Sequence, residues 1–178
     1  MRSGARALNT LMAVSPADGT EACYAKMHPF SFSGEDKYFD RGASLAKLRI
    51  GDLQLGLTIC YDLRFPELYT ALARDCEVLV NIANWPRRRS AHWNVLLRAR
   101  AIENQVYVIG VNRSGTDGNG LEYDRSSCVI NANGDAMEPI VTEGDIDLFE
   151  ITPRALADFR ASFPTRHDRV PDTYRHLI

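Results

Sequence analysis

Three short apolar runs constrain this chain most: LGLTIC at residues 55–60, EVLVNIA at 77–83 and VYVIGV at 106–111. EVLVNIA shows almost no polar alternation, which is the pattern of a strand covered on both faces. Between the runs lie helical segments. Residues 66–75 open on Pro66, tolerated in a first helical turn. Ser90 is a candidate N-cap for residues 91–104, where Trp93, Leu96, Leu97 and Ala101 share a stripe. Hairpin and turn signals surround this centre: Gly51-Asp52 between strands 47–50 and 53–60, and Asn133-Gly134 between residues 126–130 and a further β segment. Residues 8–14 read as a strand closed by the turn 15–19, and 116–120 read as a loop. Residues 145–151 alternate like a half-buried strand, and 153–162 follow as a helix. The tail from Phe163 has two prolines and little periodicity, so it is expected to wrap over a surface or a partner. Alternating strands and helices with several hairpins predict a layered α/β domain with a mixed sheet.

With 178 residues, 45% apolar and 25% charged, the chain is the size and composition of one soluble domain. Its net charge of −2 gives no general attraction to nucleic acid or to a membrane surface. No apolar run approaches the roughly 20 residues that span a bilayer. The opening MRSGARALNTLMAV is short and polar-interrupted for a secretory signal. Cys23, Cys60, Cys76 and Cys128 form no CxxC and lie at no zinc-like spacing. A reducing, cytoplasmic compartment with free thiols is therefore expected, most of them acting as small core hydrophobes.

Candidate chemistry begins at Cys60. A strand end in an α/β layer points into the crevice above the sheet, and the amides of the following turn can stabilise an anion there. The alternative is a packed strand-end thiol. Lys26 in YAKMHPF is either a buried cation able to hold an oxyanion or an edge-strand lysine with its charge in water. Glu35 is a candidate carboxylate in a loop. His92 and His28 raise a Cys–His pairing as a rival. Arg87, Arg88 and Arg89 read as a solvated face or an anion pocket.

Lys26 in YAKMHPF, Glu35 nine residues on and Cys60 in ICYDLRFPEL resemble, in order and spacing, the carbon–nitrogen hydrolase (nitrilase) superfamily. ANWPRRRSAHW, LLRARAIENQVYVIGVNRSG, the INANGD turn and the Phe163-Pro164 tail extend the likeness over nearly the whole chain, nearest to the ω-amidase-like branch. The resemblance implies an α-β-β-α sandwich with mixed sheets and no metal or organic cofactor. It also implies a small-molecule amide as substrate and assembly as a homodimer, without nucleic acid or membrane partners. Cys60 would attack the amide carbon to form a thioester, and Lys26 and the Tyr61 amide would hold the oxyanion. Glu35 would help to orient Lys26 and the substrate. Apart from the resemblance, Arg64, Arg87 to Arg89 and Arg113 could each bind a substrate carboxylate bidentately, with nothing in the sequence to rank them, and Trp85 is a further substrate-binding candidate. The family's general-base glutamate lies well upstream of the lysine, in an apolar-Pro-Glu context. Ahead of Lys26, only Asp18 and Glu21 are carboxylates, and neither has that context. Residues 1–178 thus read as the C-terminal two-thirds of such a domain, with 163–178 as its wrapping tail. A catalytically impaired remnant serving as a binding or assembly module is the alternative.

Overall fold

The computed structural model describes residues 2–3, 6–16 and 19–174. Asp18, His176 and the end of the tail lie outside the described residues, as does the side chain of Glu21. The strands used below are β1 (Thr10–Ser15), β2 (Gly19–Ala25), β3 (Lys47–Ile50), β4 (Leu53–Ile59), β5 (Val78–Ala83), β6 (Tyr107–Asn112) and β7 (Cys128–Ile130). The helices are α1 (Pro66–Leu72), α2 (Ser90–Asn104) and α3 (Pro153–Ser162).

A five-stranded sheet in the order β7-β6-β5-β4-β3 forms the centre. β4, β5 and β6 run parallel, and β3 and β7 close the edges antiparallel. The three apolar runs are thus the three parallel strands, each joined to the next through a helix. Leu79 and Val108 pack with Leu72 of α1 and with Trp93, Leu97 and Ala101 of α2. Gly110 of β6 lets α2 approach closely, since a Cβ there would meet Leu97 at 2.6 Å and Trp93 at 2.7 Å. On the opposite face the β1–β2 hairpin brings Leu11 and Tyr24 against Leu57 and Ile59. Leu156 of α3 packs there with Val78 and Tyr107.

Several expected elements differ in detail. The strand expected at 8–14 is split at Asn9, between strand Arg6–Leu8 and β1. Asn9 is drawn away to a carboxylate, as described below. Ser90 is the first residue of α2, and its hydroxyl bonds Asp124 rather than capping the helix. Thr116 pairs with Glu122 in a two-residue ladder, so only part of 116–120 is loop. The β segment after Asn133-Gly134 reduces to one bridge, Ile130 to Ala136. Residues 141–148 form a hairpin, Val141–Glu143 with Ile146–Leu148, instead of one strand over 145–151. Cys60, Cys76 and Cys128 are free thiols, with Cys76 buried.

Arginines beyond α2 tie helix ends together. Arg166 donates to the carbonyl of Ala73 at 2.7 Å, Arg160 to that of Gln105 at 2.9 Å, and Arg169 to that of Glu103. These carbonyls end α1 and α2, where unpaired C=O groups and the helix dipole favour a cation. Burial, with Arg166 nearby, pulls Arg160 down to about 10.

Candidate active site

β4 ends at Ile59, and the chain turns at once into a 3-10 segment, Cys60–Arg64. Cys60 holds φ at 48°, in the left-handed region that a non-glycine residue adopts at a cost of roughly 1–2 kcal/mol. Two buried contacts keep the turn in place. Arg100 of α2 donates twice to the carbonyl of Leu63, at 3.0 and 2.8 Å, and the Asp62 carboxylate accepts the Ile59 amide at 2.9 Å. A helix arginine only 5% exposed is unexpected from the sequence; its guanidinium also lies over the ring of Tyr69.

Lys26 follows β2 directly and is 3% exposed, so it is the buried cation rather than the edge lysine. Its amide bonds Asn9 O and its carbonyl accepts Gly42 N, both at 2.9 Å. Gly42 is required by that crossing, because a Cβ there would lie 2.0 Å from the carbonyl oxygen of Ala25. Lys26 Nζ lies 2.7 Å from Glu35 Oε2, which also accepts the Phe30 amide at 2.6 Å. Glu35 Oε1 accepts Asn9 Nδ2 at 2.7 Å. Burial alone would raise the Glu35 pKa, but the bonds from Lys26, Phe30 and Asn9 outweigh it and hold the carboxyl below its ordinary value.

Lys26, Glu35 and Cys60 line one cavity of about 560 Å³, together with Arg113 and Asn112. Cys60 also lines a smaller adjoining space of about 40 Å³ with Tyr61, Arg64 and Trp85. The candidate residues therefore divide between two compartments that share the cysteine. Arg113 is exposed over the Tyr123 ring at 4.7 Å. Arg64 lies over Trp85 at 5.0 Å and meets His92 Nδ1 at 3.1 Å. Burial pushes the Cys60 thiol up, partly offset by the Lys26 charge and by a backbone hydrogen bond at Asn84.

The Cys–His alternative finds no support in this arrangement. Neither His28 nor His92 lines a cavity that opens on Cys60; His92 is engaged by Arg64 and His28 by Asp62. Of the three consecutive arginines, Arg87 is paired with Asp124 and Glu122 and Arg89 lies over Phe30. Asn9, Asp62 and Asn112 escaped the sequence reading. The only available signal for the two asparagines was a polar residue at the end of an apolar run. Among the described residues, no group of three or more His, Cys, Asp or Glu could hold a metal.

The family model for carbon-nitrogen hydrolases matches residues 2–147. The omega-amidase YafV of Escherichia coli (strain K12) is 38% identical over 167 residues, covering 90% of this chain and 62% of the relative. The 2-oxoglutaramate amidase of Paenarthrobacter nicotinovorans is 37% identical over 175 residues, covering 93% and 58%. The chain thus spans about three-fifths of the length of these relatives. The crystal structure of XC1258 from Xanthomonas campestris, a CN-hydrolase superfamily protein with an arsenic adduct in the active site, superposes with a TM-score of 0.82. It is 33% identical and covers 96% of this chain and 66% of that one. Together with the layered architecture and the shared cavity of Lys26, Glu35 and Cys60, these matches show that the chain belongs to the carbon-nitrogen hydrolase family.

Proposed function

We propose that this chain carries the nucleophile and oxyanion-binding residues of an amidase that hydrolyses short, carboxylate-bearing amides. One observation carries the proposal: a lysine only 3% exposed, held by Glu35, lines the same cavity as the strained strand-end Cys60. The Cys60 sulfur attacks the amide carbon, and the carbonyl oxygen gains the negative charge. Lys26 Nζ stabilises that oxyanion, joined by the Tyr61 amide at the start of the 3-10 turn, where first-turn amides lack helical acceptors. The thiol proton passes to the departing nitrogen as the carbon–nitrogen bond breaks, leaving ammonia and a thioester. Water then adds to the thioester carbon, and the acid leaves as the thiol is restored. Arg113, on the same cavity, is assigned to the substrate carboxylate. The name of the Paenarthrobacter relative makes 2-oxoglutaramate the first amide to try.

Glu35 acts by orienting Lys26. Both its oxygens are already occupied by donors, and its lowered pKa makes it a poor acceptor for the thiol proton. The same observation favours a second reading, in which the described residues bind a ligand or partner without turnover. Ammonia release from 2-oxoglutaramate, followed in the chain and in Cys60→Ala and Lys26→Ala, separates the two. Turnover that falls by about 1,000-fold or more in both variants, equal to about 4 kcal/mol, supports the amidase. Turnover that survives Cys60→Ala overturns it, and a chain without turnover favours the binding module. The homodimer is likewise a proposal, prompted by the exposed apolar side chains of Phe163, Val170 and Tyr174 in the tail. Sedimentation as a monomer would contradict it.

A further inference from the structure

Asp62 is fully buried, and four donors converge on its carboxylate from two separate parts of the chain. Oδ2 accepts Tyr24 Oη at 2.8 Å and the Ile59 amide at 2.9 Å. Oδ1 accepts the His28 amide at 3.1 Å and His28 Nδ1 at 2.7 Å. Four donors fill the acceptor capacity of an ionised carboxylate, so Nδ1 is the ring nitrogen that carries a hydrogen. Tyr24 and His28 bracket Lys26, while Ile59 and Asp62 bracket Cys60. Tyr24 Oη also accepts the Met27 amide at 3.2 Å, which closes the lysine turn on itself.

A second connection runs through rings. His28 stacks on Phe65 with centroids 3.7 Å apart, Phe65 meets Tyr61 edge-on at 5.2 Å, and Tyr61 packs on Phe30 at 4.7 Å. The Phe30 amide then bonds Glu35. From Asp62 the path runs through His28, Phe65, Tyr61 and Phe30 and ends at Glu35, the carboxylate that holds Lys26.

We propose that Asp62 and His28 are positioning residues that clamp the Lys26 turn to the Cys60 turn and so fix the ammonium beside the thiol. The clamp acts through Lys26 and touches no substrate. The inference rests on the amidase reading for its purpose, but its test does not require turnover.

Alkylation of Cys60 by iodoacetamide, quantified by mass spectrometry at fixed pH 8, reports how well Lys26 favours the thiolate. Lys26→Ala is expected to slow labelling by about tenfold, equal to about 1.4 kcal/mol. His28→Ala is expected to slow it to a similar extent, and His28→Asn, whose Nδ2 replaces Nδ1 as the donor to Asp62, to restore at least half the wild-type rate. The double variant His28→Ala/Lys26→Ala should label no more slowly than Lys26→Ala alone, because both changes remove one interaction. Tyr24→Phe, which removes a different donor to Asp62, replaces His28→Ala if that variant loses its cooperative thermal transition. Labelling within twofold of wild type in the single clamp variant, or rate losses that multiply in the double, overturns the proposal. Intact clamp behaviour in a chain that releases no ammonia would refute the amidase reading alone. Turnover with an indifferent clamp would refute this inference alone.

Discussion

Asn112 grips the backbone of Trp85 from both sides: its Oδ1 accepts the Trp85 amide at 2.7 Å and its Nδ2 donates to the Trp85 carbonyl at 2.9 Å. The strand end of β6 thereby fixes the loop after β5 and sets the walls of both spaces around Cys60.

Asn112→Leu should leave two buried backbone groups of Trp85 unpaired, at about 1–3 kcal/mol each. Urea unfolding is expected to show a loss of at least about 2 kcal/mol. A loss below about 0.5 kcal/mol, the range of neutral surface changes, would mean the loop finds other partners.

Glu35 sets an acid-side dependence of stability. Its folded pKa lies below the ordinary value of 4.5, so its contribution is fully present above that value and is lost as pH falls through the lower folded one. Glu35→Gln should lower stability at pH 7 and flatten the decline below pH 4.5. Parallel acid-side slopes in the two proteins, measured by urea unfolding, would contradict this.

The Cys60 thiol is held above its ordinary value of 9.0, chiefly by burial. Alkylation should therefore be slow at pH 7 and still climb, about tenfold per pH unit, past pH 9. A plateau below pH 8 would contradict this.

Gly110 faces Trp93 and Leu97, both fully buried, and Trp93 is further pinned by its Nε1 bond to Ser126 O at 2.9 Å. Gly110→Ala should overpack this contact and cost about 1–3 kcal/mol. An unchanged thermal midpoint would show that α2 can move outward freely.

The elements with strong periodicity were legible in the sequence. The helix expected at 153–162 is Pro153–Ser162, and the Gly51-Asp52 hairpin joins β3 to β4 as read. Short polar connections were not legible, because tertiary partners decide them. Asn9 breaks a strand to reach Glu35, and Ser90 abandons a cap for Asp124. Arg100 falls on the apolar stripe of Trp93, Leu97 and Ala101, where a charged side chain is not expected, and it is buried with its guanidinium on Leu63 O.

By itself the sequence determined the layered α/β architecture and the order Lys26, Glu35, Cys60, since both are written in local apolar pattern and motif spacing. Only the tertiary structure decided that Lys26 is desolvated against Glu35, that Cys60 joins two spaces, and that Asp62 ties the two turns together. Burial and hydrogen-bond geometry are properties of residues far apart in the chain, and they exist only once β1–β2 has packed on β4.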